Sequence, residues 1–329
     1  MGLYRILGRP ILFLLPPETA HRAAALALRS PLPWDAIAGT VPRIPAEFAG
    51  IRASTPIGLA AGFDKNATMV DGLSRLGFGY IVVGTVSRHP RAGNPKPRIR
   101  RVAAQAALVN AMGIPNDGVD AVAARLASRS GTAPIIASVA DEDPDDVATV
   151  VERLEPHVAA IELNVSSPNS PWRHSGRDNS AHLREVLEML SGRGKPLFVK
   201  LPPFDPSDGE AASLVLARIA MEAGVEGLTC ANTRPVADAA MPHGRGGLSG
   251  APLAGATPGM IAALRSLAPE PMAINACGGI ADGHTARRCL DAGADTVQLY
   301  TGLIYEGPRV VRGIASELAR TASVGEDDH

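Results

Sequence analysis

Eight short apolar segments of this 329-residue chain each run into polar residues, and those residues could carry chemistry. In order they are Asp64-Lys65-Asn66, Gly84-Thr85, Ser138, Asn164-Val-Ser-Ser167-Pro-Asn169, Lys200, Asn232-Thr233, Cys277-Gly278-Gly279 and Tyr300-Thr301-Gly302. A further polar stretch, Asn110-Ala-Met112-Gly113, lies in the connection after Thr85. The set offers two lysines, several asparagines, hydroxyls and Gly turns. An asparagine both donates and accepts, so a cluster of them suits a planar ring of alternating N–H and C=O groups. Gly turns after strands let backbone N–H groups approach a phosphate. Lysines near a phosphate-bearing cofactor can stabilise negative charge developing on it. Taken singly, most have a plainer account: an Asn caps a turn, a Gly pair makes one, Lys200 before Pro202 is a solvated loop lysine, and Cys277 fills a strand end. The polar run from Asn164 to Asn169, directly after a buried apolar segment, is hard to explain by packing alone.

The apolar segments that must position these groups are Ile57–Ala61, Tyr80–Val83, Ile135–Val139, Ala159–Leu163, Leu197–Leu201, Gly227–Ala231, Met272–Ala276 and Thr296–Tyr300. They are continuous rather than alternating, as expected of strands buried on both faces. Helical patterns follow them at Ala67–Leu76, Asp117–Ser128, Asp145–Leu154, Ala181–Leu190, Asp208–Ala223, Thr257–Leu267, Asp282–Ala292 and Pro308–Thr321. Eight strand–helix pairs predict a (β/α)8 TIM barrel, an α/β fold of typically about 250 residues whose chemistry sits at the carboxyl ends of the strands. The rival open sheet would want a Gly-x-Gly-x-x-Gly turn after its first strand, and Ala60-Ala-Gly-Phe-Asp-Lys65 does not supply one. The organisation predicted is an N-terminal helical extension over 1–45, a barrel over 46–321 and a flexible acidic tail over 322–329.

Composition excludes several classes. The chain is 46% hydrophobic, enough to build a core rather than remain disordered, and its net charge of -1 argues against general nucleic-acid binding. Only 4% of residues are aromatic, too few for base-stacking platforms. Three cysteines without a Cys-x-x-Cys spacing, and scattered histidines, predict neither a disulfide scaffold nor a protein-held metal. The apolar stretch Leu3–Leu15 is interrupted by Arg5, Arg9 and Pro10 and is shorter than the ~20 residues a bilayer span needs. With the Ala- and Leu-rich stretch Pro17–Arg29 it forms a helical hairpin that either packs on the main domain or lies in a membrane surface with Arg5, Arg9 and Arg22 near headgroups.

An ordered set of motifs resembles the dihydroorotate dehydrogenase family: Ile57-Gly-Leu-Ala-Ala-Gly-Phe-Asp-Lys65, Gly84-Thr-Val86, Gly93-Asn-Pro-Lys-Pro-Arg98, Asn164-Val-Ser-Ser-Pro-Asn169, Gly246-Gly-Leu-Ser-Gly250 and Val297-Gln-Leu-Tyr-Thr-Gly302. The resemblance runs from about residue 16 to 315. It implies an FMN-containing barrel that oxidises dihydroorotate to orotate in pyrimidine synthesis. Two features resemble the members that pass electrons to a quinone: Pro17-Glu-Thr-Ala-His21 in a helical extension, and Ser rather than Cys at position 167. This implies peripheral attachment to the cytoplasmic face of the cell membrane through the N-terminal helices, with no nucleic-acid partner.

By the same resemblance, Ser167 takes a proton from the substrate carbon beside the carbonyl and Lys65 lies by both substrate and flavin. Asn110, Met112, Gly113, Ile114, Asn164, Asn169, Asn232 and Thr233 are implied to contact substrate. Lys200 is implied at the flavin pyrimidine edge, with Ala61, Gly62, Lys65, Thr85, Ser138, Asn164, Ala231, Gly250, Gly279, Tyr300 and Thr301 also holding FMN. His21 and Arg98 are implied at the quinone head. The chain departs from the family pattern at Ser138, a usual Asn; at Asp141, near a usual Lys; at Ala231, a usual Thr; and in the loop Ser170–Arg177. The segment Asn110–Asn116 is closer to the cytosolic type. A diverged flavin barrel acting on another dihydropyrimidine-like ring, and a catalytically idle flavin-binding barrel, are the alternative readings.

Overall fold

The computed structural model describes residues 3–166, 179–207 and 211–324. It opens with a π-helical turn, Tyr4–Gly8, that runs into α1 (Arg9–Leu14). Helix α2 (Pro17–Arg29) begins at the second of two prolines; Pro17 occupies the first helical position, where its missing N–H costs nothing. A short α3 (Trp34–Ala38) follows. Strands β1 (Ala46–Phe48) and β2 (Ile51–Ala53) form a hairpin turned by Ala49 and Gly50, both at positive φ, as a two-residue turn of matching twist demands. Phe48 packs on Tyr80 and Phe198, ring centroids 4.9 and 6.0 Å away.

The barrel and its insertions are built from β3 (Ile57–Leu59), α4 (Val70–Ser74), β4 (Tyr80–Val86), β5 (Ile99–Val102), β6 (Ala107–Asn110), α5 (Val119–Ala127), β7 (Ile135–Val139), α6 (Pro144–Leu154), β8 (Ala160–Asn164), α7 (Asn179–Met189), β9 (Leu197–Leu201), α8 (Ala212–Glu222), β10 (Gly227–Cys230), β11 (Arg234–Ala237), β12 (Arg245–Gly250), α9 (Thr257–Arg265), β13 (Ala273–Cys277), α10 (Gly283–Asp291), β14 (Thr296–Leu299), α11 (Thr301–Glu306) and α12 (Val310–Val324). Strands β3, β4, β7, β8, β9, β10, β13 and β14 close into one barrel, and neighbouring strands pair in parallel. The eight continuous apolar segments of the sequence are these eight strands, because a strand enclosed by helices outside and side chains inside has no face to leave polar. Aspartates cap two of the helices: Asp143 accepts from the Asp145 N–H and Asp282 from the Thr285 N–H.

Three elements differ from the sequence reading. Helix α4 is shorter than the expected Ala67–Leu76, because the buried Asp64 carboxylate accepts the N–H groups of Thr68 and Met69 and Ala67 sits at φ 54°. Helix α11 stands between β14 and Pro308, where no helix is expected. The largest difference is a second sheet, ordered β11-β12-β6-β5 and antiparallel throughout, made by excursions after β4 and β10. Its own small core is Ala107, Val109, Ala111, Met241 and Leu248. It contributes walls to both cavities described below.

Candidate active site

The carboxyl ends of the barrel strands surround a cavity of about 190 Å³. Its walls include Ala61, Gly62, Lys65, Thr85, Asn110, Met112, Gly113, Ile114, Asn164, Lys200, Ala231, Asn232, Thr233, Gly250, Gly279, Tyr300 and Thr301, so most of the residues singled out in the sequence meet here. Ser167 and Asn169 lie outside the described residues. Ser138, implied to hold the cofactor, is fully buried and is not part of the cavity lining; its hydroxyl lies 3.1 Å from that of Thr85, which is.

Hydrogen bonds tie this wall together across three strand ends. The Asn164 side-chain amide donates to Thr85 Oγ1 (2.9 Å), and Ser166 Oγ donates to Asn164 Oδ1 (3.1 Å). The Asn232 amide donates to Ser166 Oγ (2.9 Å), while its carbonyl accepts the Thr233 N–H (2.7 Å). A fully connected buried network of this kind has one arrangement, which fixes the direction of each group facing the cavity. On the opposite side the wall is backbone. Gly250 and Gly279 have φ of 98° and 73°, and a Cβ on either would collide with the main chain of Ala106 or Ala254.

Two lysines reach the cavity. Lys65 Nζ donates to the Gly62 carbonyl at 2.5 Å, held by the turn that Asp64 organises. Burial, and then the Arg98 guanidinium, lower its pKa to about 8, with Asp64 and Glu18 opposing. Burial also works against the charge of Lys200, yet the Glu162 carboxylate, 3.6 Å from its Nζ, holds it above the ordinary lysine range. Gln298 was not singled out in the sequence; it lines the cavity almost fully buried, and its side-chain amide makes no short hydrogen bond among the described residues, the Tyr80 hydroxyl being its polar neighbour. Its only signal is a polar residue inside the apolar run Thr296–Tyr300.

A second cavity, about 430 Å³ and mostly apolar, lies between the N-terminal helices and the barrel. Leu12, Phe13, Ala20, His21, Phe63, Leu303 and Ile304 are among its walls, and Asn110, Ser249 and Tyr300 line both cavities. The His21 ring stands edge-on to Phe63, centroids 5.2 Å apart, and burial followed by the Lys65 charge lowers its pKa to about 4. Arg98 lines neither cavity. Its guanidinium forms a bidentate pair with Glu18 of α2 (3.3 and 3.2 Å) and donates to the Ala92 and Asn94 carbonyls. The arginine facing the apolar cavity is Arg101, 4.5 Å above the Phe13 ring and bonded to the carbonyls of Leu12, Phe13 and Leu15. Strand alternation was the missed signal: in β5, Ile99 and Arg101 share the cavity face, while Arg100 points to Asp238.

Residues 43–321 match the sequence profile of the dihydroorotate dehydrogenase family. The chain is 37% identical over 326 residues to a dihydroorotate dehydrogenase (quinone) of Erythrobacter litoralis, covering 95% of this chain and 93% of the relative. It is 38% identical to one from Gloeobacter violaceus, covering 97% and 94%. A crystal structure of the Eimeria tenella enzyme in complex with ferulenol superposes with a TM-score of 0.82 at 30% identity, covering 94% of this chain and 93% of that one. With the barrel, the N-terminal helices and the strand-end cavity in place, the chain belongs to the dihydroorotate dehydrogenase family.

Proposed function

We propose that this protein oxidises dihydroorotate to orotate with FMN and passes the electrons to a membrane quinone, in pyrimidine synthesis. The observation that carries the proposal is the pair of cavities, one polar and one apolar, divided by Tyr300, Asn110 and Ser249. The residues fit the cofactor. The Gln298 amide, buried at the cavity without a short hydrogen bond among the described residues, matches the alternating donors and acceptors of an isoalloxazine ring, and the Gly250 and Gly279 turns leave backbone facing the cavity where a phosphate would rest. FMN, when bound, supplies the acceptor for the hydride and relays the electron pair.

The chain's own groups do the rest. Lys65 and Lys200 bring positive charge to an anionic substrate and to a ring that gains negative charge on reduction. Asn110, Asn164 and Asn232, with Asn169, orient the substrate ring through paired donors and acceptors. Ser167 takes the proton from the carbon beside the carbonyl. A lone serine is a weak base, so it passes that proton on through a relay. On the other side of Tyr300, His21 and Arg101 stand ready to meet quinone carbonyls within an apolar lining.

Peripheral attachment to the cytoplasmic face of the membrane is supported by the surface around the second cavity. Leu3, Ile11, Leu14 and Leu26 are 72, 63, 86 and 67% exposed, and Ile6 and Leu7 are also exposed. Such a patch favours an interfacial setting. Among the described residues, no helix is long and apolar enough to cross a membrane. Anaerobic stopped-flow tests the whole reading. Dihydroorotate should bleach the bound flavin, and a quinone should restore its colour faster than a water-soluble acceptor. A flavin that dihydroorotate leaves oxidised refutes the substrate, and equal reoxidation by both acceptors refutes the quinone.

A further inference from the structure

Inside the barrel, one carboxylate has no place in the site as described so far. Glu162, the third residue of β8, is 1% exposed, and Lys200 on neighbouring β9 is 4% exposed. Thr229, which pairs in register with Lys200 from β10, donates its hydroxyl to Glu162 Oε2 at 2.9 Å. This leaves Oε1 facing Lys200 Nζ across a long contact of 3.6 Å, with no other hydrogen-bond partner among the described residues. A buried, under-bonded carboxylate is expensive, and an apolar residue of similar volume would suit a barrel core better. We propose that Glu162 is a positioning residue: it keeps the Lys200 ammonium charged and directed at the cofactor cavity, and thereby sets how tightly the bound cofactor holds electrons. The inference rests on the FMN reading above.

The charge argument follows from what surrounds the amine. The titratable groups facing Lys200 are Glu162 from β8 and Cys277 from β13; burial pushes the Cys277 thiol up, so it stays neutral. Tyr80 of β4, which faces Glu162, is likewise pushed up by burial. The Glu162 charge is therefore what opposes the burial penalty on Lys200. A neutral amine would give no stabilisation to negative charge on a reduced ring, whereas a lone ammonium would give more than the present pair, because Glu162 partly offsets it.

These two effects have opposite signs and give a signature that repacking does not. In Glu162→Gln, Lys200 stays charged at low pH and is no longer offset, so the midpoint potential of the bound flavin lies above the wild type. As pH rises Lys200 loses its proton, and the potential falls below the wild type. The two potential-against-pH curves therefore cross in the pH range, below that of an ordinary lysine, where an unpaired buried lysine loses its proton. A change of shape alone displaces one curve parallel to the other. Lys200→Met should abolish the crossing: in that background Glu162→Gln removes one negative charge and displaces the curve in a single direction at every pH. Thr229→Val, nearly isosteric and leaving both charges in place, is the control for shape and should give a curve that does not cross the wild type. Glu162→Leu, which also removes the charge, stands in if Glu162→Gln fails to retain flavin.

The experiment is dye-equilibration potentiometry of the holoenzyme across that pH range, after flavin content is measured. Crossing curves for Glu162→Gln or Glu162→Leu, lost with Lys200→Met and absent in Thr229→Val, support the assignment. Parallel or coincident curves for the Glu162 variants in protein that carries flavin overturn it and leave the cofactor reading standing. Wild-type protein that binds no flavin overturns the cofactor reading and this inference with it.

Discussion

On the barrel side of Tyr300, Ser138, Thr85, Asn164, Ser166 and Asn232 are joined hydroxyl to amide, and two lysines are held by a carbonyl and a carboxylate. On the other side, the apolar cavity is enclosed by helices whose polar ties sit at its edge. Tyr4 donates to the Ile304 carbonyl, Arg5 pairs with Glu306, Glu18 pairs with Arg98, and Arg101 bonds the last carbonyls of α1. Hydrogen-bonded networks specify direction as well as position, while apolar contact is non-directional and tolerates rearrangement. The first cavity is suited to placing a reacting carbon within a fraction of an ångström, and the second to admitting an apolar molecule of variable length.

The comparison predicts that substitutions on the polar side act on the chemical step and those on the apolar side on acceptor affinity. The largest effect is expected for Ser167→Ala. Flavin should remain bound, but its reduction by dihydroorotate should slow by a factor on the order of 10² to 10⁴, the weight of a general base. Single-turnover bleaching at the wild-type rate would assign the base elsewhere and break the division of labour. On the other side, Arg101→Leu removes bonds to three carbonyls and the contact with Phe13. Charged hydrogen bonds contribute about 1.5–3 kcal/mol each when made, so KM for quinone should rise ~10-fold or more while flavin bleaching by dihydroorotate is unchanged. The same experiment on Arg98→Leu sharpens the comparison, because Arg98 lies outside the cavity and should not affect quinone affinity directly.

What was legible in the sequence follows the same boundary. Barrel strands such as Ile135–Val139 announce themselves as continuous apolar runs because both faces are buried. The polar residues after those runs gather in one cavity because a barrel puts every strand end on one rim. The second sheet was not legible: Ile99-Arg-Arg-Val102, Arg234-Pro-Val-Ala237 and Arg245–Gly250 are short, charged or Gly-rich, and their pairing is fixed by the barrel that carries them. Glu162 was hidden within an apolar run, where a single acid carries no local signal. Arg98 stands out as part of a motif, whereas Arg101 faces the apolar cavity through the alternation of β5, which a motif does not carry. The roles given to Ser167 and Asn169 rest on the motif, as both lie outside the described residues.

The smallest predicted effect tests whether the two regions are independent. Lys65 belongs to the polar cavity, yet its charge responds to Arg98 and Glu18, and Glu18 lies on α2 one turn before His21 of the apolar cavity. With its pKa lowered to about 8, Lys65 is charged below that pH and neutral above it. Affinity for anionic dihydroorotate should therefore be level on the acid side and weaken up to tenfold per pH unit on the alkaline side. Glu18 raises this pKa and Arg98 lowers it. In Glu18→Gln the Arg98 charge is left unbalanced, so the inflection should move to lower pH. The pair is partly buried, with 11 and 22% of the two side chains exposed, and solvent screens the interaction. The change in affinity at pH 8 should be only about two- to five-fold, the scale of an ion pair of this kind. The dissociation constant of orotate, measured by flavin absorbance from pH 6.5 to 9.5 in both proteins, reads the inflection directly. An inflection that stays in place in Glu18→Gln would show that the helix carrying His21 has no electrostatic hold on the substrate side, and that the two cavities are coupled only through the residues they share.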